Sequence, residues 1–386
     1  MPKTAFKGNV ILPDKVLYGG VVVIEGKKIT GVYSHKDELL EKEIDFLDYN
    51  DKFISPGLID LHFHGAMGRD TMDCNTESVE QLAFHQAKCG VTGFLATTTS
   101  SSLESVIEAI ETVKKTSKLQ LPSKLLGVHV EGPFLNKQKR GAQDLDFIRE
   151  MNDEEIHLLI RTLGNLKAII SIAPEVGDNI SFIKSLKEKN IVVSIGHSDA
   201  TYQQAMASFE EGISHATHLF NAMRKFHPRE PGVVGAVFDS PGVTAEIIAD
   251  GVHLHPSTIR LAVSRKGIDK ICLITDSINA AGLGDGIYPL GNLEMEVKGT
   301  EARLRESGVL AGSVLTLNRA VRNVIEWTGV EVNQGINMAS LNASRVLSME
   351  REIGSIRKGK YADLAIFDKK FNLVETVVEG NSVLKA

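Results

Sequence analysis

Short apolar runs recur through the middle of this chain, and polar or glycine residues bound each of them. Eight runs stand out, with the sequences LIDLHFHG, GVTGFLATTTS, KLLGVHVEG, KAIISIAPE, IVVSIGHS, SHATHLFNA, VTAEIIAD and KICLITDS. Near-continuous apolar strands of this length suit a parallel sheet that is covered on both faces. The segments between them carry apolar residues at helical spacing, as in residues 79–87 and 103–113. Eight strand-and-helix units predict a (β/α)8 barrel.

The two ends of the chain carry a different pattern. Residues 17–33 alternate and turn at Glu25 and Gly26, which is typical of a hairpin. Residues 361–386 also form a strand–turn–strand pattern, and neither end is followed by a barrel-type helix. We therefore predict an α/β fold with a TIM-type barrel at residues 56–348. Residues 1–55 and 349–386 are expected to form a small β-sandwich domain beside it.

Composition narrows the classes of partner. The 386 residues carry a net charge of −6, which argues against a nucleic acid or an anionic membrane as partner. No apolar run reaches the ~18 residues that a membrane span requires. The three cysteines, Cys74, Cys89 and Cys272, match no disulfide framework or zinc knuckle, so we expect reduced thiols in a cytoplasmic protein.

Polar residues of metal-ligand type fall where the predicted barrel strands end. Active-site residues of such barrels lie at the carboxyl ends of the strands. The residues found there, on the first, third, fifth, sixth and eighth strands, are His62 and His64, Glu131, His197, His218 and Asp276. Imidazole and carboxylate ligands suit Zn²⁺ and similar divalent ions. A lone HxH pair could equally be a polar strand end, but its convergence with the other residues on one rim favours a metal centre.

Asp276 lies in LITDS, at the end of a buried strand. Facing an activated water molecule, its carboxylate would act as a general base. The alternative is an aspartate that caps the following turn.

Three further polar residues adjoin these positions. Asp60 and His129 share strand faces with His62 and Glu131, so either is a candidate to support the ligands from behind. His215 lies three residues before His218 and should point the other way in a regular strand.

The motif series resembles that of the N-acetylglucosamine-6-phosphate deacetylases, within the amidohydrolase superfamily. The matching stretches are PGLIDLHFHG, HVEGPF, GHSDAT, HATHLFNAM, REPGVVG, IADGVH, ITDS and LAGS, and they span nearly the whole chain. The first specifies only the superfamily, whereas HVEGPF followed by HLFNAM and REPG is far more specific. The resemblance implies metal-dependent hydrolysis of N-acetyl-D-glucosamine 6-phosphate to D-glucosamine 6-phosphate and acetate, in amino-sugar catabolism or cell-wall recycling.

The resemblance also implies roles for the residues at the strand ends. Glu131, His197 and His218 match the principal metal ligands, and Asp276 matches the catalytic base and acid. Some members lack the first histidine pair and hold one ion, so a chain that keeps His62 and His64 resembles the branch able to hold two. We expect one or two divalent ions per subunit, Zn²⁺ before Fe²⁺, Mn²⁺ or Co²⁺, since this ligand set tolerates all four.

Substrate positions carry over in the same way. The matching residues are Ala142, Gln143, Asn221, Ala222, Arg229, His253, Leu310, Ala311 and Gly312. Gln143 departs from members that have histidine there, and from sequence alone residues 310–312 would be just a turn. The arginine of this family comes from the neighbouring subunit, which implies a homodimer in which Arg229 reaches the other active site and binds phosphate. Without the resemblance, Arg229 would be a surface ion pair with Glu230.

Two other functions compete with this one. A different amidohydrolase, acting on a cyclic amide as dihydroorotases do, would share the metal rim but not the need for Arg229 and His253 at a phosphate. A non-catalytic scaffold of the same fold would typically have lost metal ligands, and this chain keeps them. We therefore expect a small sugar phosphate as partner, with no nucleic acid and no membrane.

Overall fold

The computed structural model describes residues 3–35 and 44–385. Its strands, in chain order, are β1 (Lys3–Ile11), β2 (Val16–Glu25), β3 (Lys28–Tyr33), β4 (Asp45–Pro56), β5 (Leu58–Phe63), β6 (Gly65–Ala66), β7 (Arg69–Asp70), β8 (Val91–Thr98), β9 (Lys124–Glu131), β10 (Lys167–Ile172), β11 (Val192–Ile195), β12 (His215–Ala216), β13 (Thr244–Ile248), β14 (Ile271–Ile274), β15 (Gly286–Leu290), β16 (Leu293–Lys298), β17 (Glu301–Leu304), β18 (Leu364–Phe367), β19 (Leu373–Val378) and β20 (Asn381–Lys385).

The helices follow the strands of the central sheet. They are α1 (Thr76–Ala87), α2 (Leu103–Thr116), α3 (Asp153–Leu163), α4 (Ile183–Glu188), α5 (Tyr202–Glu211), α6 (Gly232–Asp239), α7 (Pro256–Lys266), α8 (Leu317–Thr328), α9 (Val332–Met338) and α10 (Leu341–Val346). Short 3₁₀ turns lie at Thr71–Asp73, Lys137–Lys139, Leu145–Phe147, Asn179–Phe182 and Ile268–Lys270. Across residues 3–35 and 44–385, no helix has the length and apolar character needed to cross a membrane.

The predicted barrel is confirmed. Strand β5 and strands β8 to β14 adjoin in sequence order, and every neighbouring pair is parallel. The end of the first strand meets the chain just beyond the last strand, where the Asp276 N–H donates to the His62 carbonyl over 2.9 Å. Phe63 and Ser277 pair there as a parallel bridge. The seam therefore holds His62 and Asp276 side by side.

The helices form where the apolar spacing predicted them. In α1, the Asn75 side chain caps the first turn by accepting the Ser78 N–H. Val79, Leu82 and Ala83 then form a buried stripe one turn apart. Helix α2 repeats the arrangement, with a cap from Ser102. Both helices cover the outer face of the barrel with one apolar side, as amphipathic helices do.

Both termini contribute to one sheet, whose strand order is β20-β19-β18-β4-β1-β2-β3. The hairpin predicted at residues 17–33 is present, and Glu25 pairs with Lys28 across its turn. The sheet encloses its own apolar cluster, which includes Phe6, Ile24 and Leu364. The division at residues 55 and 349 stays a prediction, and residues 1–2, 36–43 and 386 of the expected sandwich lie outside the described residues.

A three-stranded antiparallel sheet, β15 to β17, was not predicted. It is inserted between the eighth barrel strand and α8, and it packs on its own apolar cluster around Met295 and Val297. Strand β15 alternates half-buried and exposed positions, β17 alternates exposed and buried ones, and Gly291 and Gly299 mark the turns. Those short alternations were the sequence signal from which this sheet could have been predicted.

Candidate active site

The residues predicted at the strand ends converge on one rim of the barrel. All of them are buried, with relative exposures between 0 and 8%. They are His62, which lies within β5, His64 just after it, Glu131 at the end of β9, and His197, His218 and Asp276, each two residues beyond its strand. The barrel position therefore brings together the side chains that the sequence placed at different strand ends.

Glu131, His197 and His218 form the tighter of two clusters on this rim. Glu131 Oε1 lies 2.9 Å from His218 Nε2 and 3.2 Å from His197 Nε2, and the two ring nitrogens are 3.0 Å apart. Ligands at about 2.0–2.1 Å from a tetrahedral Zn²⁺ lie about 3.3 Å from one another. Three donor atoms this close fit a shared divalent ion, and their types are those that such ions take.

His62, His64 and Asp276 form the second cluster. The two Nε2 atoms are 3.1 Å apart, and Asp276 Oδ1 lies 3.4 Å from that of His62 and 3.3 Å from that of His64. Glu131 faces this pair as well, with Oε1 3.4 Å from His62 and Oε2 3.3 Å from His64. The Glu131 carboxylate therefore lies between the clusters, and it would be available to an ion bound at either one.

The hydrogen bonds behind the rings fix which nitrogen faces the centre. His197 Nδ1 lies 2.8 Å from the Lys139 carbonyl, and His62 Nδ1 lies 3.0 Å from Glu246 Oε2. Because both partners are acceptors only, each Nδ1 carries a proton, which leaves Nε2 as the atom that each ring would offer to a metal. Within the described chain, the buried Nδ1 atoms of His64 and His218 have no hydrogen-bond partner.

The electrostatics of the rim favour anionic carboxylates. Burial alone would raise the pKa of Glu131, but the charge of His62 and the bonds from His197 and His218 hold it well below its usual range. The pKa of Asp276 is likewise lowered, because His62 and His64 outweigh the effect of burial. Two ionised carboxylates in a buried site require cationic partners, and a divalent ion held by these residues would supply that charge when bound.

Three of the rim residues adopt a backbone conformation that side-chain-bearing residues rarely take. The φ angles of His197, His218 and Asp276 are +46°, +29° and +49°. Left-handed conformations of non-glycine residues cost free energy and concentrate at functional sites. At these positions the turn beyond each strand directs the side chain back towards the barrel axis.

A cavity of about 980 Å³ opens over both clusters. Seven predicted substrate residues line it, namely Ala142, Gln143, Asn221, Ala222, His253, Leu310 and Gly312. The other two do not: Ala311 is fully buried, and Arg229 is exposed outside the cavity of its own chain. The cavity has the size of a small-molecule site and ends on the candidate ligands.

Gln143 contacts a candidate metal ligand directly. Its Nε2 donates to Glu131 Oε2 over 2.7 Å, and its Oε1 accepts the Ser100 N–H over 2.6 Å. The amide is therefore held at both ends, and it orients the carboxylate that lies between the clusters. A histidine at this position would offer a different donor geometry, so the departure at Gln143 has a structural consequence.

His253 stands on the cavity wall with its ring held by Asp250. The Nδ1 atom lies 2.6 Å from Asp250 Oδ2, while Asp250 Oδ1 accepts the N–H groups of Val252 and His253 over 2.8 Å each. Burial alone would lower the pKa of His253, but the bond to Asp250 raises it above its usual value. A cationic ring at this position suits an anionic group on a ligand.

Sequence reasoning missed three contributors. Arg303 and Lys139 line the cavity, and Arg303 comes from the unpredicted strand β17. Glu246, on β13, is fully buried and contacts His62. Its signal was an acidic residue inside the apolar run VTAEIIAD.

The positions behind the rim are partly as expected. The His129 ring packs against that of His62, with centroids 4.5 Å apart, and Asp60 Oδ1 accepts the His62 N–H over 3.3 Å. The expectation that His215 points away from His218 is wrong. Its Nε2 lies inside the barrel, 3.2 Å from Glu246 Oε1, because β12 ends at Ala216 and His218 lies in the irregular segment beyond it.

The sequence of this chain matches known proteins over most of its length. A model of the amidohydrolase family matches residues 53–383. The chain is 36% identical over 377 residues to the N-acetylglucosamine-6-phosphate deacetylase of Bacillus subtilis strain 168, covering 96% of this chain and 94% of the relative. It is 36% identical over 330 residues to the N-acetylgalactosamine-6-phosphate deacetylase of Escherichia coli O157:H7, covering 85% and 87%.

A solved structure has the same fold as this chain. The N-acetyl-D-glucosamine-6-phosphate deacetylase of Mycobacterium smegmatis, a mutant in complex with N-acetyl-D-glucosamine-6-phosphate, superposes with a TM-score of 0.94. The sequence identity is 25%, and the superposition covers 100% of both chains.

Proposed function

We propose, from the premise that this chain belongs to the amidohydrolase family, that it hydrolyses the N-acetyl amide of N-acetyl-D-glucosamine 6-phosphate to D-glucosamine 6-phosphate and acetate. The observation that carries the proposal is the content of one cavity. The candidate metal ligands lie at its base, Asp276 lies beside them, and the ring of His253 lies on its wall. Side chains of metal-ligand type, a proton acceptor and an anion-binding group are thereby brought within one small-molecule site.

We expect Glu131, His197 and His218 to hold a first divalent ion. His62 and His64, with Glu131 between the clusters, would hold a second. When bound, such an ion supplies a Lewis acid that polarises the amide carbonyl and acidifies water. Zn²⁺ is the first candidate, and Fe²⁺, Mn²⁺ and Co²⁺ suit the same donors.

Asp276 carries the proton transfers. Its pKa is lowered, so the carboxylate is ionised at neutral pH and can accept a proton from the attacking water. The protonated carboxyl group then donates to the amine nitrogen as the C–N bond breaks, which is required because an amine anion is a poor leaving group. One residue thus acts first as base and then as acid.

The cavity walls would orient the sugar phosphate. Asn221 and Ala222 lie beyond the sixth strand, close to His218, and His253 faces the same space. With Nδ1 committed to Asp250, His253 can direct only Nε2 towards a phosphate. These contacts would hold the phosphate away from the metal ligands and the acetamide near them.

We also propose a homodimer in which Arg229 binds the substrate of the neighbouring subunit. Arg229 is exposed, and Phe226 nearby is 56% exposed, which suits a surface that meets another copy. Mixing Arg229→Ala subunits with Asp276→Asn subunits tests this directly. Hybrid dimers then contain one complete site, so activity should exceed that of either variant alone. If mixing restores nothing, Arg229 does not act across an interface.

The proposed reaction is tested by acetate release together with elemental analysis of the same sample. We expect turnover of N-acetyl-D-glucosamine 6-phosphate and far less of the unphosphorylated sugar, since the phosphate contacts would be lost. The galactosamine epimer is included because one relative is an N-acetylgalactosamine-6-phosphate deacetylase. Equal turnover with and without phosphate, or turnover of a cyclic amide instead, would contradict the proposal.

The competing function, a non-catalytic scaffold of the same fold, has its own test. Purified protein that neither releases acetate nor rebinds a divalent ion would indicate it. The expected cytoplasmic location rests on the three cysteines, which match no disulfide framework, and is checked by fractionation.

A further inference from the structure

Glu246 is a fully buried carboxylate in the interior of the barrel, and no step of the proposed reaction uses it. Its Oε2 lies 3.0 Å from His62 Nδ1 and accepts the His218 N–H over 3.1 Å. Its Oε1 lies 3.2 Å from His215 Nε2, and His215 Nδ1 lies 2.6 Å from Thr244 Oγ1. Both oxygens therefore have partners, which a buried carboxylate requires to be tolerated.

We infer that Glu246 is the positioning residue of the second ion, because it selects the nitrogen with which His62 can bind that ion. A carboxylate only accepts hydrogen bonds, so the proton of the neutral His62 ring must reside on Nδ1. The Nε2 atom, which that tautomer leaves free to bind a metal, lies 3.1 Å from Nε2 of His64. Histidines that bind metals commonly donate their other N–H to a carboxylate, which fixes the ring and increases its basicity. This inference rests on the proposed two-ion function.

The contacts confine the effect to one cluster. Glu246 meets the ring of His62, but it meets only the backbone N–H of His218. The ring of His197 is held from elsewhere, by the Lys139 carbonyl. The first ion would therefore keep its ligand geometry when Glu246 is changed, whereas the second would lose the fixed orientation of His62.

The competing explanation is that Glu246 only stabilises the barrel. A stabilising role would be expressed as a lower melting temperature, without selective loss of one ion or a change in the proton position on His62. The inference therefore requires measurements of metal binding and of ring protonation, not of activity.

The test uses Glu246→Gln, which keeps the side-chain volume and removes the charge. Metal-depleted protein is titrated with Zn²⁺ in competition with a chromophoric chelator. We expect the second Zn²⁺ to bind about 10–100-fold more weakly, with the first unchanged. Spectra of ¹⁵N-histidine-labelled protein report whether Nδ1 or Nε2 of His62 carries the proton, and we expect the Nδ1–H form to lose population. The His62→Asn variant assigns the signal.

Matched controls separate the outcomes. Glu375→Gln makes the same change at a buried glutamate of the terminal sheet, 3% exposed, and should alter neither ion. The double variant His62→Ala with His64→Ala should lower the zinc content per chain to one. If Glu246→Gln retains both affinities while the double variant loses an ion, the role of Glu246 is refuted and the proposed function stands. If the double variant also keeps two ions, the two-ion proposal itself fails.

A second variant guards against misfolding. Glu246→Asp keeps the charge and shortens the reach towards His62 by one methylene, so we expect the second Zn²⁺ to be weakened in the same direction. Unchanged affinity and an unchanged His62 proton position in this variant would overturn the inference.

Discussion

Replacing Asp276 with asparagine removes one charge and the ability to carry a proton, while keeping the shape of the side chain. Asp276 lies at the seam between the first and eighth strands, where its N–H donates to the His62 carbonyl. That backbone bond is unaffected by the substitution, so we expect the protein to fold. What changes is the side-chain oxygen, 3.3 Å from His64 Nε2 and 3.4 Å from His62 Nε2.

The expected loss follows from the role of the residue. A positioned general acid or base contributes about 10²–10⁴-fold to a rate. Because Asp276 is proposed to act in both proton transfers, we expect kcat to fall by about 10³–10⁴-fold, or about 4–5.5 kcal/mol. KM should change little, since the sugar phosphate is held by other residues. The loss of charge near His62 and His64 should also weaken the second ion, so metal content must be measured.

The assay is acetate release at saturating sugar phosphate, with substrate binding by calorimetry and elemental analysis of the same sample. Asp144→Asn is the matched control. Asp144 lines the same cavity and caps a 3₁₀ turn, a role that asparagine fills equally well, so near-normal kcat is expected. If Asp276→Asn carries its full metal content and turns over within about tenfold of the wild type, the acid–base role is refuted.

Three further predictions concern the rest of the fold. Asp250→Asn should raise KM for the phosphorylated sugar, because it weakens the bond that raises the pKa of His253. The ring of the variant then loses its charge at a lower pH, so the increase in KM should grow as the pH rises. Parallel KM–pH profiles of variant and wild type would contradict this. Burial lowers the pKa of His85 to about 4. As the pH falls from 6.5 towards 4, the unfolded chain therefore binds a proton at this ring that the folded chain does not. The free energy of unfolding should drop over that window by at most about 3 kcal/mol. His85→Gln should show a smaller fall in melting temperature between pH 7 and pH 5, and equal falls would refute the assignment. Gly57→Ala places a Cβ 2.0 Å from Thr92 Oγ1 and should lower the free energy of unfolding by about 1–3 kcal/mol. Adding Thr92→Ala removes the clash, so the double variant should recover part of the lost melting temperature. If it recovers none, the strain lies elsewhere.

The barrel and its rim could be predicted because their signals are local. Each strand is a short apolar run, and each ligand follows its run at the carboxyl end, so the general rule for such barrels brings His62, Glu131 and Asp276 together without knowledge of their contacts. The left-handed turns at His197 and His218 were not predictable in this way. Such a turn changes the direction of a side chain without changing the spacing of residues in the sequence. The direction of the His215 side chain was predicted wrongly for a related reason, because the regular strand that contains it ends at Ala216.

The remaining contributors depend on pairings between distant segments. Arg303 reaches the cavity because β17 folds back on β16, and nothing near residue 303 in the sequence refers to the barrel. Gln143 contacts Glu131 from a loop that lacks regular structure over most of its length.

The position of Glu246 depends on the register in which β12 and β13 pair, and that position in turn determines the hydrogen bond to His62. Parallel pairing of Ala216 with Ala245 brings Glu246 level with the residue after β12, and its side chain points into the barrel. A shift of β13 by one residue would turn the carboxylate towards the helices, because neighbouring side chains on a strand face opposite sides. His62 would then lose its Nδ1 acceptor, and a buried charge would lose its partners. Strands β12 and β13 are short, and four of their seven residues are apolar. The need to orient His62 on β5 therefore constrains the register in which these two strands pair.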